Sequence, residues 1–425
     1  MQKDSAGDRG FTGAAYPWIV VAILWMVCFF NYADRQVIFS VFPVIKSEIG
    51  LSDVQLGIVG GSFMWAYALF GPLAGWLGDR LPRKKLILGA LIFWSACTAA
   101  TAITQNLWQL TLCRALGGLG EAFYFPAAMS LIGDYHSRAT RSRAMSLHQS
   151  GVYAGTIAGG ALAGWMAQHY GWRTAFWGFG AAGVAVALVI LLWLREPKRG
   201  MAEVAASPGP APGVREVARG VLANRLAWLL ILAFIGANFV AVVFLSWMPS
   251  FLYRKFAMSL TMAGWSATAY LQTASVLGVL CGGVAADRLS RRFVGARPAV
   301  QCCGLLCGIP FLFLTGWTLS VPVLVTAMAC FGYFKGMYDA NIFASLYEVV
   351  GVEVRAAAAG ILNSLGWLGA GFAPVIVARA SEAVGMSACL SATSVIYVVC
   401  AVLLWRAAAA HNSLHANHRL PYYPR

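Results

Sequence analysis

An all-α membrane protein, with about twelve transmembrane helices in two pseudo-symmetric six-helix bundles, is the fold class the sequence predicts. Three observations carry it. Composition is too apolar for a soluble domain, with 60% hydrophobic and 11% charged residues, against about 25% charged in typical globular chains. Apolar runs of about 20 residues, the length of helix that crosses a bilayer, recur along the whole chain. A basic loop signature is also copied at the same place in each half.

Taken in order, the runs predict spans at 18–42, 54–77, 86–105, 108–132, 144–168 and 173–194, then at 227–252, 264–286, 298–317, 321–346, 356–379 and 388–406. The first run is too long for a signal peptide's apolar core and has no small-residue cleavage site after it, so no cleavable leader is expected. Between the two sets of six lies Ser207-Pro208-Gly209-Pro210-Ala211-Pro212-Gly213, a density of Pro and Gly that favours a loop. Residues 215–223 could follow it as a short amphipathic helix on the membrane surface. The expected organisation is an N-terminal bundle, 1–194, a cytoplasmic linker, 195–226, and a C-terminal bundle with a basic tail, 227–425.

The formal net charge of +15 reflects topology. With both termini on the cytoplasmic side, that side collects most of the Lys and Arg, including Arg80, Arg83, Lys84, Lys85, Arg138, Arg141, Arg143, Arg195, Lys198, Arg199, Arg288, Arg291 and Arg292. The opposite side holds Lys46, Arg173, Arg254, Lys255 and Arg379. This is the positive-inside bias of a multi-pass inner-membrane protein, and it argues against a nucleic-acid partner. All ten cysteines fall inside predicted spans, so no disulfide framework is expected. Cys302, Cys303 and Cys307 lack the polar company of a metal site and are read as small apolar packers.

The copied signature reads Gly75-x-x-x-Asp79-Arg80-x-x-Arg83-Lys84 after the second span and Gly283-x-x-x-Asp287-Arg288-x-x-Arg291-Arg292 after the eighth. Two copies in register point to a duplicated architecture. The glycines suggest close helix approach. Asp79, Arg80, Arg83, Asp287, Arg288 and Arg291 suggest a cytoplasmic latch that breaks when the halves rock.

Charge inside the spans is the functional signal. Asp34-Arg35 sits within the first apolar run, Arg114 and Glu121 in the fourth, and Lys335 and Asp339 in the tenth. Burying charge at that depth is costly, so such residues mark pathways or sites. Arg114 and Glu121 are seven apart, on one helix face about two turns from each other, and each should meet a partner from another helix. Asp34-Arg35 offers one acid and one base. A low-dielectric cavity favours a neutral carboxylate and a neighbouring Arg the charged form, so such a site can bind and release a proton. Lys335 and Asp339, at i,i+4 spacing, can pair with each other. They are read either as a structural pair or as a second anion-binding cation or protonation site.

Several weaker candidates accompany these. Gln149, Ser150, Asn238, Tyr270, Gln272, Asn341, Asn363 and Ser364 are polar residues on apolar helices, part of which act as interhelical glue. Gly151, Gly155, Gly159 and Gly160 give the fifth span a smooth packing stripe. His148 is read as an interfacial histidine. No phosphate-binding loop, zinc set or nucleophile constellation is present, so neither an enzyme nor a cofactor is expected.

The duplicated loop resembles the pattern of the major facilitator superfamily over nearly the whole chain. Within it the chain is similar to the anion:cation symporter family, which holds bacterial hexonate and hexuronate transporters, sialin and the vesicular glutamate transporters. The matching residues are Asn31-Tyr32-Ala33-Asp34-Arg35, Trp65-Ala66-Tyr67, Arg114 to Pro126, Ser150-Gly151 and Ser246 to Leu252. The resemblance implies a central cavity, proton coupling at Asp34 and Glu121, and substrate binding by Arg35 and Arg114 with Tyr32 and Tyr67. Lys335 and Asn363 join as substrate-binding candidates, and the pair Lys335 and Asp339 departs from the family pattern. The expected substrate is a small organic anion, a hexonate or hexuronate sugar acid, moved with protons by a monomer in the lipid bilayer. A spinster-like lysolipid transporter, a proton-driven drug or metabolite exporter, and a sensor that binds without moving its ligand are the alternatives.

Overall fold

The computed structural model describes residues 15–78, 80–197, 220–221, 223–351 and 354–416. The Asp79 position, most of the linker including residues 215–219 and 222 of its expected surface helix, and both chain ends lie outside the described residues. Among the described residues, eleven segments are long and apolar enough to cross a membrane. Arg138–Tyr170, 33 residues long, is a further helix of spanning length, less apolar because it begins Arg138-Ala-Thr-Arg-Ser-Arg143.

The helices of the first half are α1 (Tyr16–Ser40), α2 (Phe42–Ile49), α3 (Asp53–Gly78), α4 (Arg83–Thr101), α5 (Leu107–Ala122), α6 (Tyr124–Tyr135), α7 (Arg138–Tyr170) and α8 (Trp172–Trp193). Those of the second are α9 (Arg225–Lys255), α10 (Leu260–Leu289), α11 (Ala296–Trp317), α12 (Val321–Asp339), α13 (Ile342–Val349), α14 (Arg355–Ala370), α15 (Ala373–Val384) and α16 (Met386–Ala416).

Three expected spans are each broken into two helices. Span 108–132 breaks at Phe123 into α5 and α6. Pro126, in the first turn of α6, has no N–H to return to residue 122 and its ring crowds that carbonyl. Span 356–379 breaks at Gly371-Phe372, ahead of Pro374 at the start of α15. Span 321–346 breaks at Ala340-Asn341 without a proline. The buried Asn341 donates instead to the carbonyls of Gly282 and Met337, at 3.3 Å each, a side-chain competitor for backbone bonds. The short α2 is also absent from the sequence expectation. It is closed by Gly50 at φ 75°, whose N–H caps the Lys46 carbonyl, and is tied down by Glu48, which accepts from Trp172 at 2.7 Å and pairs with Arg173.

Glycine sets the helix contacts, as expected where lipid gives helices no hydrophobic drive to associate. A Cβ at Gly155 would lie 2.2 Å from the Phe29 carbonyl oxygen and one at Gly159 2.5 Å from that of Ala33, so α7 lies directly on α1. The stripe on α7 therefore serves two faces. Gly160 and Gly164 turn to the other half, where a Cβ would meet the carbonyls of Gly264 and Leu260 at 2.7 and 2.4 Å. A second seam between halves brings Gly57 and Gly61 of α3 against Pro374 and Gly371. The glycines of the copied loop do not act this way in this conformation: a Cβ at Gly75 or Gly283 would meet nothing within 4 Å.

The loops joining α3 to α4, α6 to α7 and α10 to α11 mark a basic end of the molecule. Among the described residues, the hydrogen bonds that cross between halves all lie away from it. Arg254 makes a bidentate contact with Asp53 at 2.8 Å through each nitrogen, and Lys46 shares that carboxylate at 2.8 Å. Thr261 donates to Gln168 at 2.8 Å, and Gln36 donates to the Leu245 carbonyl at 3.0 Å.

Candidate functional site: a buried arginine at the seam of the two halves

Asp34 and Arg35 are adjacent on α1 and so point about 100° apart around the helix. Arg35 faces α5 and the seam. Its Nε donates to Glu121 Oε2 at 2.7 Å, with Glu121 only 2% exposed. Asp34 faces α4, where Oδ2 accepts from the Thr98 hydroxyl at 2.9 Å. The expectation that the intramembrane charges find partners on other helices thus meets a pair for Arg35 and Glu121, and a neutral partner for Asp34.

Arg114 has no carboxylate within 4.0 Å among the described residues, and its Nε has no hydrogen-bond partner. The Phe63 ring, 4.7 Å from its guanidinium carbon, is its close neighbour. Arg35 likewise keeps Nη1 without a partner. Aromatic rings enclose its guanidinium: Tyr67 at 4.5 Å, Tyr32 at 4.6 Å, Phe63 at 5.1 Å and, from the other half, Trp367 at 5.4 Å. Ring faces attract a desolvated cation, which helps to hold charge out of water. Arg35 and Arg114 both line one cavity, together with Gln36, Phe39, Met64, Thr156, Val242 and Leu245. Chemically the arrangement is two guanidiniums with donors to spare, one guarded by a carboxylate, in a pocket walled by both halves. Planar guanidinium is the natural partner of a carboxylate.

The remaining candidates separate. Tyr32 and Tyr67 join the Arg35 cage. Asn363 is half-buried on α14, one turn before Trp367. Lys335 and Asp339 pair with each other on α12. Arg83 is 1% exposed and pairs with Asp134 of its own half and, at 2.9 Å, with Glu196 at the start of the linker. Asp287 pairs with Arg297 at 2.9 Å, again within its half. Arg80 lies over the Trp76 ring at 4.0 Å, and Arg288 and Arg291 are exposed. Arg83 and Asp287 therefore hold helix ends together without crossing the seam in this conformation.

His148 is corrected from an interfacial to a core residue. It is fully buried, with Nε2 2.7 Å from the Tyr124 hydroxyl, which donates to the Leu24 carbonyl. Gln149 and Ser150 are exposed, and Ser150 accepts from Trp25. Asn341 ties α12 to α10 as interhelical glue. Cys303 and Cys307 approach to 3.9 Å, and no metal-binding cluster occurs among the described residues. Thr98, Phe63 and Trp367 are site residues that sequence reasoning does not single out. Thr98 was within reach as a polar residue on an apolar span, whereas nothing local marks Trp367.

The profile of the Major Facilitator Superfamily matches residues 24–293 and 243–419. The chain belongs to that superfamily. It is a transporter rather than an enzyme. It is 27% identical over 399 residues, 87% of this chain and 86% of the relative, to the "Probable galactarate/D-glucarate transporter" of Bacillus subtilis. It is 31% identical over 314 residues to human "Protein spinster homolog 1", covering 70% of this chain and 60% of that one. It is also 26% identical over 382 residues, 87% of this chain and 89% of the relative, to the "Cis,cis-muconate transport protein" of Acinetobacter baylyi. Among solved structures, a bacterial homologue of the human lysosomal transporter Spinster, in an inward-facing and unoccupied conformation, superposes with a TM-score of 0.80 at 25% identity, covering 97% of this chain and 100% of that one. The transporter shares its architecture with that protein.

Proposed function

We propose that this transporter is a proton-coupled symporter of a small organic anion, a sugar acid of the hexonate or hexuronate class. It works by rocking residues 1–194 against 227–425 about the central cavity. One observation carries the reading: Arg35, locked to Glu121 through Nε, keeps Nη1 without a partner beside an Arg114 that has no carboxylate within 4.0 Å among the described residues. An arriving carboxylate fills that vacancy of negative charge. It competes with Glu121 for Arg35, and the displaced Glu121 can then take up a proton. Asp34, held by Thr98 on the next face of α1, is the second coupling carboxylate. The relatives named for galactarate, D-glucarate and cis,cis-muconate support an organic anion as cargo.

The proposed setting is the inner membrane, with both termini cytoplasmic and the basic end inside, and the monomer as the working unit. The state described is then the one closed on the outer side by Asp53 and Arg254. Asp79, Arg80, Arg83, Asp287, Arg288 and Arg291 are proposed to close the inner side in the opposite state, with Arg83 and Asp287 exchanging their present partners for ones in the other half.

A second reading follows from the lining. Phe39, Phe63, Met64, Val242, Leu245 and Trp367 make the cavity largely apolar around its two cations, which also suits a lysolipid, and the likeness to spinster proteins points the same way. Uptake of labelled hexonates, hexuronates and lysophospholipids into proteoliposomes, with and without an inward proton gradient, decides between them. Gradient-driven accumulation of a sugar acid that Glu121→Gln abolishes supports symport. Lysophospholipid movement without sugar-acid movement overturns it.

A further inference from the structure

Lys335 and Asp339 stand at the middle of their span, Val321–Val349, yet their side chains keep 15% and 23% of their surface exposed. Charged surface at that depth is expensive against hydrocarbon, which argues for the space between the halves over the lipid face. Tyr153, on α7 of the other half, supports that placement, because it lies within electrostatic range of both Asp339 and Tyr32 of the Arg35 cage.

The two charged sites also occupy matching places in the duplicated fold. The fourth span breaks at Phe123, two residues after Glu121, where α5 ends at Ala122. The tenth span, its counterpart six spans later, breaks immediately after Asp339, where α12 ends. Interrupted helices at corresponding positions of two repeats are where transporters build their midplane sites. An ammonium has three donors and Asp339 engages one of them.

Resting on the reading of an anion transporter, we propose that Lys335, steadied by Asp339, seats a second anionic pole of the substrate. The ligand class is then a dianion, a dicarboxylate such as an aldarate, with one carboxylate at Arg35 and Arg114 on the first half and the other at Lys335 on the second. Bridging both halves, such a ligand draws them together only when both of its ends are charged.

The test is calorimetric binding to the purified full-length transporter of an aldarate and of the aldonate with the same carbon count. Wild type is expected to bind the aldarate at least about tenfold more tightly. K335Q is expected to weaken the aldarate roughly ten- to a hundredfold, the scale of one charge-assisted bond, and the aldonate far less, with K335R restoring most of the preference. Should K335Q lose its fold by leaving Asp339 bare, the neutral double variant K335Q/D339N is the substitute. Equal weakening of both ligands, or a wild type that binds them alike, overturns the dianion while leaving anion transport standing. A wild type that binds neither, with lysolipid bound instead, overturns both.

Discussion

Arg35 Nε and Glu121 Oε2 are 2.7 Å apart, joining α1 to α5 in the interior of the first half. The pair sits where the second half supplies Trp367 as a wall. A ligand that takes Arg35 from Glu121 therefore acts on the packing of both halves at once.

Glu121→Gln keeps the shape of that contact and removes its charge. Proton-driven accumulation is expected to fall at least about tenfold, with exchange of labelled for unlabelled substrate retained, because a neutral amide can still hydrogen-bond but cannot carry a proton through the cycle. Paired accumulation and counterflow assays in proteoliposomes check this. Parallel loss of both modes would count against a coupling role.

Arg35→Lys and Arg114→Lys keep one positive charge each but lose the planar fork and much of the ring contact. Binding is expected to weaken by roughly tenfold or more in each, on the scale of one charge-assisted hydrogen bond. The Arg35 variant should also lose thermal stability, since Glu121 is left poorly paired in a buried place. Ligand titration and melting curves measure the two effects separately.

Asp53→Asn loosens the contact opposite the basic end. Its partners are partly exposed, with Arg254 and Lys46 side chains each 38% accessible, so the change is small, ~1 kcal/mol. That shifts the balance between conformations about fivefold. Alkylation of a cysteine placed in the Arg35 cavity, by reagents confined to either side of the membrane, should report faster labelling from the Asp53 side. Unchanged labelling would show that the glycine seams alone keep that side shut.

Gly159→Ala puts a methyl 2.5 Å from the Ala33 carbonyl oxygen, and helix α7 must move off α1. A loss of roughly 1–3 kcal/mol is the usual scale for such overpacking, read as a lower melting temperature. Gly75→Ala, with nothing within 4 Å, should leave the melting temperature unchanged. If its transport rate falls nevertheless, Gly75 packs closely in the opposite conformation.

The sequence made the spans, the duplication and the charged positions legible, because each rests on local chemistry: apolar length, loop charge, and ionisable residues where hydrocarbon should be. The three broken spans were less legible. Pro126 and Pro374 announce two of them, but the break at Asn341 depends on carbonyls contributed in part by α10. His148 shows the limit from the other side. Its basic neighbours in the chain suggest an interface, while Tyr124 and the Leu24 carbonyl, from two other helices, make it a core residue.

By itself the sequence determined that Arg35, Arg114, Asp34 and Glu121 lie within the membrane and need partners, since that follows from burying charge. Only the tertiary structure decided who those partners are. Asp34 and Arg35 diverge around one helix, so that one meets Thr98 and the other meets Glu121 and the rings. Arg114 is left with donors to spare, because the seam between the halves, not any single helix, shapes the cavity that both arginines face.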